Sequence, residues 1–260
     1  MLLTVDISNS YITLGGYRKQ GEELEESLCF MARLVTESRR TSDQYAVELR
    51  QILQLYGIDP YEIEDVVIAS VVPDLNATFG EAVKKNTNRT PLFVGPGVKT
   101  GLNIRIDNPA QLGADLVAGA VATLAKYPLP CIVFDLGTAT TVSVLDKQGN
   151  FIGGMICPGV SLTLQSLATN TALLPHVGVE KPGRVIGTNT IHSMQSGAVY
   201  GTAAMIDGIV QRIEKELGSR AMLVATGNLA EVVVPACLRE IQICDHLLLE
   251  GLKRIYLKNR

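Results

Sequence analysis

The chain has 260 residues, 47% hydrophobic and 19% charged, with a formal net charge of −3. That profile is globular and ordered, with room for one large domain or two of ordinary size. No long basic run supports nucleic-acid binding, and no apolar run approaches the ~18 residues of a membrane-spanning helix. Five cysteines form no CxxC pair and sit mostly in apolar runs, the pattern of reduced core thiols in a cytosolic protein. Three histidines, His176, His192 and His246, show no zinc-ligand spacing. The opening MLLTVDISNS lacks a basic region and meets a charge at Asp6, so it reads as a strand and not as a signal peptide.

In chain order, Leu2 to Val5 is a short apolar strand ending at Asp6. Ser8, Asn9 and Ser10 supply turn chemistry, and a second strand runs from Tyr11 to Tyr17. Leu24 to Leu34 offers a third. Asp43 to Tyr56 carries apolar residues compatible with one helical face, and Gly57 stops it. Residues 65–72 (DVVIASVV) read as a buried strand ended by Pro73. Asp74 is then expected to cap a helix reaching about Lys85. Pro91 to Val94 is another strand, followed by the glycine-rich GPGVKTGLNI. Asn108-Pro109 opens a helix expected from Ala110 to about Lys126.

Pro128 and Pro130 precede the stretch CIVFDLGTATTVSVLD, residues 131–146. An apolar strand delivers Asp135, a Gly-Thr turn follows, and a second apolar strand leads away. This repeats the plan of strand, Asp6, small polar turn, strand, half a chain earlier, and it implies an internal duplication. The expected architecture is α/β, with two similar domains at 1–115 and 116–260 and both carboxylates facing one cleft. Further on come a strand from Asn150 to Ile156 and a helix after Pro158-Gly159. A Pro/Gly loop at 176–187 precedes a long helix from Thr190 to Leu217. Gly197 and Gly201, four apart on that helix, share a face suited to close packing at a subunit interface. Ala221 to Ala225 is a strand, Thr226-Gly227-Asn228 opens a short helix, and Leu247 to Leu257 closes the chain as an amphipathic helix.

A carboxylate beside a turn rich in backbone amides and hydroxyls suits a metal-nucleotide. The amides contact phosphate and the carboxylate holds Mg²⁺ directly or through water. Asp6 and Asp135 are therefore candidate metal-site residues. Asp115, in the first turns of an otherwise apolar helix, is a candidate general base, although the helix dipole alone also favours an acid there. Phosphoryl transfer needs a base, a phosphate cradle and a metal, and all three can be assigned. Arg184 and Lys181 read as solvated. No GxSxG or HExxH motif supports a hydrolase or metalloprotease.

The motifs VDISNS, SVVP (70–73), FVGPGVKTGLNI (93–104), DNPAQLGAD (107–115), FDLGTATT (134–141), GGMICPG (153–159), IGTNTIHSMQSGAVYG (186–201) and ATGNLA (225–230) together resemble the type III pantothenate kinases. These belong to the superfamily of acetate kinase, sugar kinases, Hsp70 and actin. The resemblance runs nearly end to end. It implies two ribonuclease-H-like domains with a nucleotide cleft, a homodimer, and ATP-dependent phosphorylation of pantothenate to 4′-phosphopantothenate in coenzyme A synthesis. It also implies a divalent metal such as Mg²⁺, a monovalent cation (K⁺ or NH₄⁺) and a cytoplasmic location. By position, Asp6, Ser8, Asn9 and Ser10 fall in the first phosphate motif, and Gly137, Thr138 and Thr140 in the second. Gly227 lies in a further nucleotide motif. Asp115 matches the catalytic aspartate, Asp135 the monovalent-cation ligand, and Thr190 an acceptor-site residue. Gly97 and Gly113 line the acceptor pocket by analogy.

The chain departs from the family pattern in three motifs. Leu116 stands where GADR carries an arginine that helps hold the acceptor carboxylate. Loss of such a contact costs about 2 kcal/mol, roughly 30-fold in binding. Ser8 and Ser10 replace the glycine and threonine of DxGNT, and Asn228 replaces a glycine. These departures keep two other expectations open. One is a weakened paralogue acting as a regulator or as a subunit in a heterodimer with a homologous chain. The other is a kinase for an alcohol that lacks a carboxylate.

Overall fold

A computed structural model describes residues 1–21 and 23–260. The chain opens with β1 (Leu2–Ile7), β2 (Tyr11–Tyr17) and β3 (Phe30–Val35). Helix α1 (Ser42–Leu55), β4 (Asp65–Ser70), α2 (Pro73–Thr87) and β5 (Leu92–Phe93) follow. Then come β6 (Asn103–Ile104), α3 (Ala114–Lys126), β7 (Cys131–Leu136), β8 (Ala139–Leu145) and β9 (Asn150–Pro158). The chain ends with α4 (Val160–Asn170), α5 (Thr190–Leu217), β10 (Met222–Thr226), α6 (Ala230–Val233), β11 (Gln242–Ile243) and α7 (Leu247–Leu257). Two compact units result. The first comprises residues 1–101, 108–122 and 248–260, and the second residues 102–107 and 123–247. No helix among the described residues is long and apolar enough to cross a membrane.

The first unit is built on a five-stranded sheet of order β3-β2-β1-β4-β5. β1 pairs antiparallel with β2 and parallel with β4. Alternation along β1 sends Leu3, Val5 and Ile7 into a core shared with Tyr45 and Leu49 of α1 and Phe79 of α2. Tyr45 and Phe79 meet edge to face at 5.5 Å. Thr41 starts α1 with a reciprocal capping box to Gln44. Helix α2 begins differently from the sequence expectation. Val72 occupies the N-cap position with no side-chain cap bond and Pro73 is the first helical residue, so Asp74 lies within the first turn. There its charge favours the helix dipole without capping it. In α7, the buried Lys253 donates to the carbonyls of Glu25 and Glu26 at 3.1 and 3.2 Å and lies over the Tyr17 ring.

The second unit repeats the plan. Its six-stranded sheet has the order β11-β10-β7-β8-β9-β6. β7 pairs antiparallel with β8 and parallel with β10, as β1 does with β2 and β4. The duplication read from the two Asp-headed hairpins is thus present in topology and register. Asp6 and Asp135 each occupy the fifth position of a six-residue central strand. Each faces a threonine across the antiparallel hairpin, Thr13 for Asp6 and Thr141 for Asp135. Ile132, Phe134 and Leu136 point the other way, into a core with Leu164 of α4 and Met194, Ile206 and Val210 of α5. Between α4 and α5 the chain runs through 19 residues without helix or strand. This loop is tied down by hydrogen bonds from α5. Gln195 donates to the Gly178 carbonyl, Tyr200 to that of Pro182 and Ser196 to that of Val185.

The helix expected from Ala110 begins at Ala114. A short 3-10 turn, Pro109–Gln111, capped by the Asn108 side chain, precedes it. Asp115 is thereby set in the first turn of α3.

Candidate active site

In the first unit, Asp6 is 6% exposed, on the face of β1 opposite the core. The turn after it brings Ser8 back, and the Ser8 hydroxyl donates to Asp6 Oδ2 at 2.9 Å. The turn is held by its backbone. The Ser8 amide donates to the Tyr11 carbonyl at 3.0 Å. Thr36 takes two of its carbonyls, that of Ser8 through its hydroxyl at 2.6 Å and that of Ser10 through its amide at 3.0 Å. Ser8, Asn9 and Ser10 all keep negative φ, so no residue of the turn depends on glycine. Thr36 is a positioning residue that no motif announced, because its partners come from the neighbouring hairpin.

Asp115 is largely buried, and its Oδ1 accepts the Leu116 amide at 2.7 Å. Burial pushes its pKa above the ordinary carboxylate range. Backbone amides of Leu116 and of Asp115 itself pull it back only in part, and no cation contributes. Gly113 makes room for this carboxylate, since a Cβ there would lie 2.4 Å from Asp115 Oδ1. Leu116 is half-buried beside the base. Gly97 lies in an exposed loop at φ +91°. Asn259 pins that loop, accepting from the Lys99 amide at 3.0 Å and donating to its carbonyl at 2.8 Å.

In the second unit, Asp135, Gly137 and Gly227 are brought together. A Cβ on Gly227, at φ +92°, would fall 2.6 Å from Asp135 Oδ1 and 2.7 Å from the Leu136 backbone. Gly159, at the end of β9, closes the turn from another side. A Cβ there would meet the Thr138 carbonyl oxygen at 2.1 Å and that of Gly137 at 2.7 Å. Gly159 had no candidate role from sequence, although the Pro-Gly before a helix was visible. Thr138 is exposed at the tip of the turn. Thr140 is fully buried, and its Oγ has no hydrogen-bond partner among the described residues. It lies on the face of β8 that carries Val142 into the core, whereas Thr141 shares the face of Asp135.

Thr190 opens α5 immediately after its cap, Asn189, whose side chain accepts the His192 amide at 2.8 Å. Thr190 lines a cavity of about 770 Å³ together with Ser193 and Met194 of α5, Leu164 and Leu167 of α4, and Leu174. The cavity is apolar along α4 and polar at the helix start, a combination suited to a small organic ligand.

Two sheets that share a five-strand order, each with an aspartate one residue from the end of its central strand, define the actin-like ATPase fold. Solved structures similar to the chain share it. A conserved putative Baf family transcriptional activator from Campylobacter jejuni matches with a TM-score of 0.59 at 18% identity, covering 99% of this chain and 98% of that one. An activator of the 2-hydroxyisocaproyl-CoA dehydratase from Clostridium difficile matches at 0.55 and 14%, covering 98% and 93%. A putative 2-dehydro-3-deoxygalactonokinase from Sinorhizobium meliloti matches at 0.53 and 12%, covering 99% and 96%. Within that class the chain belongs to the type III pantothenate kinase family, whose profile matches residues 2–212. Type III pantothenate kinases from Myxococcus xanthus and Moorella thermoacetica are each 40% identical to it over 259 residues, covering 100% of this chain and 99% and 100% of theirs.

Two outcomes follow from this geometry. Because burial raises the Asp115 pKa, ionising it at neutral pH costs the folded state free energy that the unfolded chain does not pay. Asp115→Asn is expected to unfold at a higher temperature than wild type at pH 7. The difference should close as pH falls through the folded-state pKa to below about 4, where both states hold the proton. Calorimetry across that range checks it. Gly159→Ala is expected to displace the 137–138 turn and raise the KM for ATP by about tenfold or more, with the acceptor KM unchanged. Initial-rate kinetics with each substrate varied in turn would show this split, and equal effects on both KM values would contradict it.

Proposed function

We propose that the chain transfers the γ-phosphoryl group of ATP to the 4′-hydroxyl of pantothenate, in the cytoplasm, as the entry to coenzyme A synthesis. The reading rests on full-length membership of the type III pantothenate kinase family. One observation of the site carries it, the partly buried Asp115 carboxylate in the first turn of α3, held by the Leu116 amide and given room by Gly113, with a pKa raised by desolvation. A base with a raised pKa takes a proton more readily than an ordinary carboxylate. Asp115 accepts the acceptor's hydroxyl proton, the oxygen attacks the γ-phosphorus in line, and ADP leaves.

The remaining residues are assigned by the same reading. The 6–10 turn and the Gly137-Thr138 turn bind phosphate oxygens, whereas Thr140, buried on the core face of β8, is not placed to contact them; Gly227 lets backbone approach the nucleotide. Asp6 would hold the divalent metal, which would supply positive charge beside the transferring phosphoryl group. Asp135 offers a hard oxygen to K⁺ or NH₄⁺. Thr190, Gly97 and Gly113 serve the acceptor. The cavity beside Thr190 supports that role with apolar walls suited to the branched carbon skeleton of pantothenate.

A homodimer is part of the proposal. The second unit exposes Ile156 of β9, Leu173 and Ile186, each more than three-quarters accessible. Gly197 and Gly201 present a nearby stretch of exposed backbone on α5. Large exposed apolar side chains on one unit favour association.

Leu116 favours a second reading. An apolar, half-buried side chain beside the base offers nothing to an acceptor carboxylate, which suits a neutral alcohol or a partner chain that supplies the missing charge.

The test is turnover of the purified chain with ATP, Mg²⁺, K⁺ and pantothenate. Phosphopantothenate is the expected product, and none at high enzyme concentration would sink the proposal for the isolated chain. Asp115→Asn should lower kcat by about 10² to 10⁴-fold. Leu116→Arg should lower the pantothenate KM by roughly tenfold or more, and an unchanged KM would mean that the carboxylate is held elsewhere.

A further inference from the structure

Ser8 departs from the family pattern, and its geometry gives the departure a use. Its Oγ lies 2.9 Å from Asp6 Oδ2. In an octahedral site Mg²⁺ sits about 2.0–2.1 Å from each oxygen, which places neighbouring ligand oxygens about 2.9 Å apart. The hydrogen bond thus holds the serine and aspartate oxygens at a spacing that also matches one edge of a magnesium octahedron. Calcium, at about 2.3–2.6 Å, would require the pair to open by several tenths of an ångström.

The pair is also held in place. Asp6 is fixed by β1, which is in register with β2 as far as Ile7 opposite Ile12 and with β4 as far as Ser70. Ser8 is fixed by the Tyr11 carbonyl on its amide and by the Thr36 hydroxyl on its own carbonyl. Its φ is in the ordinary negative range. A chelating pair that needs no rearrangement binds with less lost entropy than one that must be assembled.

We propose that Ser8 Oγ and Asp6 Oδ2 form a two-oxygen seat for a small divalent cation, with the serine hydroxyl as a direct ligand. This rests on the reading of the chain as a metal-dependent kinase and adds a ligand to its site. When the cation binds, the hydrogen bond between the two oxygens is exchanged for two metal–oxygen contacts. The serine keeps its proton, which turns away from Asp6. No covalent bond forms or breaks.

Mn²⁺ titrated into the full chain, with and without ADP, and followed by the loss of the free-ion electron paramagnetic resonance signal, tests the seat without turnover. Ser8→Ala and Ser8→Gly are expected to weaken Mn²⁺ binding by roughly tenfold, and Ser8→Thr, which keeps the hydroxyl, by no more than about threefold. Ser8→Cys distinguishes ligation from a merely structural hydrogen bond. A thiolate ligand favours soft cations, so this variant should shift its preference from Mn²⁺ toward Cd²⁺ by about tenfold or more. It should also show an ultraviolet cadmium–thiolate absorbance absent from Ser8→Ala treated alike. Unchanged or tighter Mn²⁺ binding in Ser8→Ala, or no cadmium gain in Ser8→Cys, would overturn the proposal. Failure of the kinase reading looks different, since wild type would then bind no ADP and make no phosphopantothenate. The nucleotide-free titrations would still decide the seat.

Discussion

The turn after β7 is closely approached on two sides, and the second unit is arranged to keep it so. Gly227, beyond β10, and Gly159, beyond β9, reach the 135–138 segment so closely that neither position has room for a Cβ. Each glycine is carried there by a strand of the same sheet, and the sheet's order decides which strands those are. The backbone oxygens of Gly137 and Thr138, and the Asp135 carboxylate before them, are thus fixed from two sides. Few side chains intervene, so the precision of the site comes from main chain, which has the least freedom to drift.

The first unit reaches a comparable carboxylate by other means. β1 and β7 both have an antiparallel neighbour on one side and a parallel one on the other, with the aspartate one residue from the strand's end. The carboxyl ends of strands are where α/β sheets leave main chain available to ligands. At Asp6, however, the turn is secured by side-chain and backbone hydrogen bonds from Thr36 and Tyr11. Asp115 follows a third route. A helix start buries it, a glycine two residues earlier clears the space, and backbone amides alone temper its proton affinity.

Much of this is legible in the sequence. Apolar runs ending in aspartate and followed by Ser-Asn-Ser or Gly-Thr announce both hairpins, and their likeness announces the duplication. The long helix expected from Thr190 to Leu217 has those bounds. What the sequence conceals is whatever depends on distant partners. Thr36, Gly159 and Asn259 act through neighbours in space that no local pattern names. The late start of α3 was hidden because Asn108-Pro109 is equally good chemistry for a 3-10 turn. Asp74 lies inside α2 and not at its cap for a related reason. Pro73 is already helical, which moves the cap back to a valine whose side chain cannot accept a hydrogen bond. Alternation along β8, invisible until register is known, separates the core-facing Thr140 from Thr141 on the Asp135 face.

The Ile7–Tyr11 turn has a consequence for how such a chain can change over generations. Because none of its residues needs positive φ, substitution at Ser8, Asn9 or Ser10 carries no backbone-strain penalty. Side-chain chemistry, not backbone conformation, limits change there. Around the second turn the reverse holds, since any side chain at Gly159 or Gly227 displaces the main chain of the turn itself. Novelty should therefore accumulate in one hairpin of a duplicated pair while the other is held still. A chain that carries an altered first motif beside an intact second one is what that asymmetry produces.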